Sequence, residues 1–241
     1  MRYKFLPNGD TAVTVCFNNE ISEEVNAMVT SFDDAVEKAK ISGVIETIPA
    51  FCCVTVLYNP CKISLTWLKF RLNIILRKLG TGSSFTSVLY KIPVCYDEEF
   101  SLDMGNVERH TGLTRDEIIS IHSSADYLIY MLGFLPGFAY LGGMDKRLIT
   151  PRLETPRVEI EKGSVGIGGE QTGIYPIASP GGWQIIGKTP VNVYDKSKES
   201  PILYRAGDYI RFVPVSKEEY FEIDKKVQEG SYTVESQEVK V

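Results

Sequence analysis

Lys162-Gly-Ser-Val-Gly-Ile-Gly-Gly-Glu-Gln171-Thr-Gly-Ile-Tyr175-Pro176 reads as short β-rich pieces broken by glycine turns, and it decides the fold of the second half of the chain. The same texture extends in both directions. Residues 133–190 hold 12 of the 20 glycines and 6 of the 12 prolines. Gly133-Phe134-Leu-Pro136-Gly-Phe138-Ala-Tyr140 is a turn flanked by aromatics, and Ser179-Pro180-Gly181-Gly182-Trp183 is another turn. From Ala125 to about Val215, β-rich runs alternate with such turns, as in a small barrel or sandwich.

Upstream the pattern is different. Thr11 to Phe17 is β-rich; Ser22 is placed to cap a helix with Val25, Met28, Val29, Phe32 and Val36 at helical spacing, and Gly43 ends it. Val44–Pro49 and Phe51–Tyr58 read as strands. A second helix starts at Ser64, carries Leu65, Leu68, Leu72 and Leu76 on one face, and stops at residues 80–84. Residues 85–94 are again β-like, so the order is β-α-β-β-α-β, the ferredoxin-like arrangement. The chain is therefore expected to be an α+β ferredoxin-like domain over residues 1–88, followed by a mostly-β domain over 89–241. Between them lie two short helices around 102–110 and 115–123, the second opened by the capping box Thr114-Arg-Asp-Glu117. A second capping box, Ser216-Lys-Glu-Glu219, starts a late helix.

Composition excludes several classes. The 241 residues are 44% hydrophobic and 24% charged, too apolar for disorder. With 26 basic and 31 acidic side chains the net charge is −5, which argues against duplex DNA as a partner. Five cysteines, odd in number and without C-x-x-C, suit free thiols in a reducing cytosol, and two histidines are too few for a convincing zinc site. Residues 127–144 lack charge, but Pro136 and Gly137 break the run, and the N-terminus has no signal-like apolar region. A cytoplasmic protein with no membrane span, no metal and no nucleic-acid partner is expected.

Two motifs tempt without support. Gly182-Trp-Gln-Ile-Ile-Gly187-Lys188-Thr189 matches the phosphate-binding pattern G-x-x-x-x-G-K-[ST], yet its middle has strand composition and Pro190 follows where a helix must start. Residues 106–122 resemble a helix-turn-helix, but Arg115 is offset by Asp116 and Glu117.

The glycine-rich segment also holds groups suited to a ligand. Pro151-Arg152 and Pro156-Arg157 present two guanidiniums suited to a carboxylate or phosphate. Gln171, Tyr175 and Trp183 would add an amide, a hydroxyl and an apolar wall. The bland alternative is that these residues only punctuate hairpins and that the arginines brace neighbours such as Glu154 and Glu159.

The stretches GFLPGFAYLGG, PR…PR, KGSVGIGGEQTGIYP and SPGGWQIIGKTP together resemble the allophanate hydrolase subunit 1 family, which includes KipI and the B-subunit type of 5-oxoprolinase. The likeness is strong over residues 122–189 and weak over the first 85; Glu161-Lys162 and Ala139 depart from the usual family residues. The resemblance implies that the second domain is a cyclophilin-like β-barrel. It also implies that the chain is one subunit of an ATP-dependent enzyme hydrolysing 5-oxoproline to glutamate. ATP would then be a co-substrate of the complex, and the partners would be a LamB/YcsF-type subunit and a subunit-2-type barrel protein.

Arg152 and Arg157 would hold the substrate. His122, the histidine in the family motifs, would move a proton or else simply pack at a helix end. The alternative function is inhibition of a sensor histidine kinase, with Phe134, Phe138, Tyr140 and Trp183 as aromatic anchors.

Overall fold

The computed structural model describes residues 3–17, 23–79 and 86–240. The expected cap at Ser22 and the helix stop at 80–84 lie outside them. The chain divides into two compact units, Met1–Thr86 with Lys240–Val241 and Ser87–Val239.

In the first unit, β1 (Lys4–Pro7), β2 (Ala12–Cys16), β3 (Val44–Pro49) and β4 (Cys53–Tyr58) form an antiparallel sheet in the order β1-β2-β4-β3. Alternation along β2 and β4 sends Val13, Val15, Val54 and Val56 to one face. Helix α1 (Glu23–Ala39) contributes Val25, Val29, Phe32 and Val36 to the core beneath that face, and α2 (Leu65–Lys78) contributes Leu68, Leu72 and Leu76. Ser64 caps α2, its hydroxyl accepting the Trp67 N–H.

The ferredoxin-like expectation needs correcting at its last strand. β5 (Thr86–Cys95) does not join this sheet; it sits in the middle of the second unit's sheet. The edge beside β2 is taken by β1, through a tight turn in which Gly9 has φ +66°. Closing a two-strand hairpin costs far less chain entropy than returning a strand from about 70 residues away, so the local partner wins.

The second unit continues with α3 (Met104–Thr111), α4 (Arg115–Ser124), β6 (Tyr127–Leu132), β7 (Ala139–Gly142) and a 3-10 turn at Lys146–Leu148. Then come β8 (Arg157–Ile160), β9 (Ser164–Gly168), β10 (Gln171–Ile174), β11 (Ser179–Gly181), β12 (Gln184–Lys188), β13 (Tyr209–Val215), α5 (Lys217–Gln228) and β14 (Ser236–Lys240). The main sheet runs β10-β9-β12-β5-β13-β6-β7, with β14 also on β5. Its two ends nearly meet: a Cβ added to Gly173 on β10 would lie 3.2 Å from the Ala139 carbonyl oxygen on β7. The result is a nearly closed barrel filled by Ile92, Val94, Ile129, Leu141, Val165, Ile167, Ile186 and Phe212. β8 and β11 form a separate two-stranded ribbon.

Both capping boxes form as the sequence predicts. Residues 127–144 are two strands joined by a turn with Phe134 at φ +62° and Gly137 at φ +81°. Among the described residues, no helix is long and apolar enough to cross a membrane.

Candidate functional site

The barrel wall has two faces, and the glycines of β9 and β10 sort them. Val165, Ile167, Thr172 and Ile174 point into the barrel core, while Gly166, Gly168 and Gly173 alternate with them on the other face. Across that second face lies Trp183. A Cβ added to Gly168 would sit 2.2 Å from the indole Nε1, one on Gly173 would meet the six-membered ring at 3.2 Å, and one on Gly166 would meet the Trp183 Cβ at 3.3 Å. The glycine alternation is thus a seat for an indole.

Around Trp183 stand Phe138 and Tyr175, edge-on at ring-centroid distances of 5.4 and 6.1 Å. Phe138 in turn meets Tyr140 and the exposed Phe134 edge-on. Phe134, Phe138, Tyr140, Arg152, Tyr175, Pro180, Gly181, Gly182 and Trp183 line one cleft of about 110 Å³. Pockets for drug-sized ligands run to roughly 300–1,000 Å³, so this cleft suits a small molecule. Gly181 makes room for the Tyr175 hydroxyl, which would lie 2.4 Å from an added Cβ. Burial pushes the Tyr175 phenol up, offset in part by the Trp183 backbone N–H it accepts and by the charges of Arg152 and Arg157.

The two arginines have separate fates. Arg152 reaches the cleft, its guanidinium carbon 5.9 Å from the Trp183 ring centroid, and it has no carboxylate partner among the described residues. Its backbone is pinned on both sides: the Gln184 amide donates to the Pro151 carbonyl at 2.9 Å, and the Leu153 N–H donates to the Gly182 carbonyl at 2.7 Å. Arg157 is instead spent on Asp103, donating to both carboxylate oxygens at 2.9 and 2.7 Å. Asp103 is buried and also accepts the Ile185 N–H at 2.7 Å. Through Asp103, Arg157 therefore ties β8 to the start of α3 and the start of β12, and it is not paired with Glu154 or Glu159. Gln171 stands two residues before Gly173 on the same strand face, outside the cleft lining.

His122 is not brought to the cleft. It is fully buried inside the barrel, its ring stacked on Phe212 at 4.5 Å. The Thr172 hydroxyl donates to the Gly166 carbonyl, so it must accept from His122 Nε2, leaving Nδ1 to accept the Tyr96 hydroxyl; both contacts are 2.8 Å. Burial drives its pKa down to about 3. A neutral ring with both nitrogens engaged has no proton to offer a ligand, and the packing alternative is the one this geometry fits.

The G-x-x-x-x-G-K-[ST] segment contains strand β12, with Lys188 paired to Glu161, and residues 189–195 directly after it are not helical. In α3 and α4, Met104, Val107 and Ile118 face the core, and Arg115 donates to the Tyr96 carbonyl and to Ser101. Asp103, Gln184 and Thr172 are the residues sequence reasoning missed. No local signal marks them, since each acts on a partner 33 or more residues away in the chain.

Comparison with known proteins fixes the family. Residues 3–204 match the family described as "Carboxyltransferase domain, subdomain C and D", and the chain belongs to that family. More particularly, it is 40% identical over 230 residues to a Bacillus subtilis protein named as the B-subunit of 5-oxoprolinase, an alignment spanning 91% of this chain and 96% of that one. A solved Pyrococcus horikoshii protein, PH0987, is 43% identical over 90% of this chain and the whole of that chain, with a TM-score of 0.54. The solved protein TTHA0988 is 32% identical with a TM-score of 0.76 over 85% of this chain; the aligned part is 40% of that longer chain.

Proposed function

We propose that this chain is a subunit of an ATP-dependent 5-oxoprolinase, active only with its partner subunits. The observation that carries this reading is the nearly end-to-end likeness to the Bacillus subtilis subunit, over 96% of its length. The partners would be a LamB/YcsF-type subunit and a subunit-2-type barrel protein, and the barrel here would be of the cyclophilin type that the family resemblance implies.

The cleft chemistry is compatible with the substrate. 5-Oxoproline is a five-membered lactam bearing one carboxylate. Phe134, Phe138, Tyr140 and Trp183 give the cleft an apolar lining for such a ring, and Arg152 offers a guanidinium to the carboxylate. The lactam C–N bond is resonance-stabilised, so its carbonyl needs activation before water attacks. ATP supplies that activation by phosphorylating the carbonyl oxygen, and glutamate, ADP and phosphate leave. The role assigned to this chain is to hold and orient the ring; no residue of this chain is assigned the nucleotide.

The test is 5-oxoproline-dependent ATP hydrolysis by the purified chain, alone and with both partners. Turnover in the mixture alone supports the reading. An inactive full mixture, with the chain alone suppressing a histidine kinase's autophosphorylation, would overturn it in favour of kinase inhibition.

A further inference from the structure

Helix α2 is apolar on both sides. Leu68, Leu72 and Leu76 face the core of the first unit. The opposite stripe carries Trp67, Phe70 and Ile74, exposed by 53%, 51% and 37%, and the rings of Trp67 and Phe70 stack at 5.0 Å and 18°. The spacing i, i+3, i+7 puts the three in one row about 10 Å long at 1.5 Å per residue. Arg71 and Arg77 are exposed beside that row. Residues 65–78 contain Lys69, Arg71, Arg77 and Lys78 and no carboxylate, in a chain whose net charge is −5.

We propose that the Trp67–Phe70–Ile74 stripe of α2 docks an acidic-rimmed apolar groove on a partner subunit of the same enzyme. This rests on the functional reading above. Tryptophan and arginine are the residue types that dominate interface energies, and a cationic rim selects a carboxylate-rich partner. A second copy of this chain fits less well, because a two-fold contact would set Arg71 and Arg77 of one copy against those of the other. A membrane surface also fits less well: such binding scales with buried apolar area, and the broader apolar face of α2 is already committed to the core. A partner is at hand, since the Bacillus subtilis relative is by name one subunit.

The test compares the wild-type chain with Trp67→Gln/Phe70→Gln and with Arg71→Glu/Arg77→Glu, each checked for an unchanged thermal unfolding midpoint. Binding to each purified partner subunit is measured by calorimetry at two salt concentrations. The expected result is a loss of at least about 30-fold in affinity for one partner with the aromatic variant. The charge-reversed variant should weaken the same partner and lose the salt dependence of binding. At saturating partner, the ATPase rate of the complex should be unchanged.

Wild-type binding that both variants keep within twofold would overturn the proposal while leaving the functional reading intact. So would a variant effect confined to self-association of the chain, or to capture by phosphatidylserine vesicles. If the wild-type chain binds neither partner and the mixture has no activity, both fall.

Discussion

Trp183 can rest against the barrel wall only because Gly166, Gly168 and Gly173 present no side chains there. Gly168→Ala would force its methyl to within 2.2 Å of the indole nitrogen, and overpacking of this kind costs about 1–3 kcal/mol. Urea unfolding should show that loss, and the tryptophan emission should shift as the ring is displaced. Arg152 and Arg157 separate at the same scale. Arg152→Ala is expected to raise KM for 5-oxoproline by about 10- to 100-fold with the unfolding midpoint unchanged. Arg157→Ala should lower stability by roughly 2–3 kcal/mol, because it strands the buried Asp103 carboxylate with fewer donors.

His122 makes a pH prediction. Its folded pKa, about 3, lies below the ordinary value of 6.5, so between these limits the unfolded chain binds the extra proton. Stability from this group is complete above 6.5 and falls on acidification by up to about 1.4 kcal/mol per pH unit. Urea midpoints measured from neutral pH down to about 5 should fall less steeply for His122→Gln than for the parent chain. Among the thiols, exposed Cys61 should alkylate first. Buried Cys95 should lag, as should Cys53, whose pKa is pushed up to about 11 by burial and by the neighbouring Cys16 and Cys52. Peptide mass spectrometry over a time course checks that order.

At the scale of elements, what the sequence made legible was what local chemistry controls. Thr114 and Ser216 form their capping boxes, the leucine spacing of α2 turns Leu68, Leu72 and Leu76 inward, and Pro190 after Lys188 rules out the helix a phosphate loop needs. Lys188→Ala should accordingly leave the ATP dependence of the assembled enzyme unchanged, read as the KM for ATP. Strand partnership was not legible, because it depends on which distant strand outcompetes another. Residues 86–95 carry apolar side chains suited to either unit, and only the Gly9 turn, which lets β1 take the edge of the first sheet, hints at where they go. The site was half legible for the same reason. The aromatic and glycine cluster is concentrated in residues 133–183, whereas the partner of Arg157 sits 54 residues upstream on another element.

For the whole molecule, the cleft, the barrel interior and the α2 stripe divide the work. The interior is closely packed, with His122 hydrogen-bonded to both Tyr96 and Thr172; the cleft presents Arg152 and Trp183; the exposed stripe is the surface proposed for a partner. The cleft of about 110 Å³ brings together Trp183 and Arg152, whose guanidinium has no carboxylate partner among the described residues, and the proposed role of this chain in an assembly is to hold a small anionic ring there. The most direct test of that account is ATP hydrolysis measured with and without 5-oxoproline, for the chain alone and mixed with both partner subunits. The account predicts substrate-dependent turnover in the full mixture, none from the chain alone, and a raised KM with Arg152→Ala. Turnover by the full mixture that is indifferent to 5-oxoproline, or no turnover at all, would contradict it.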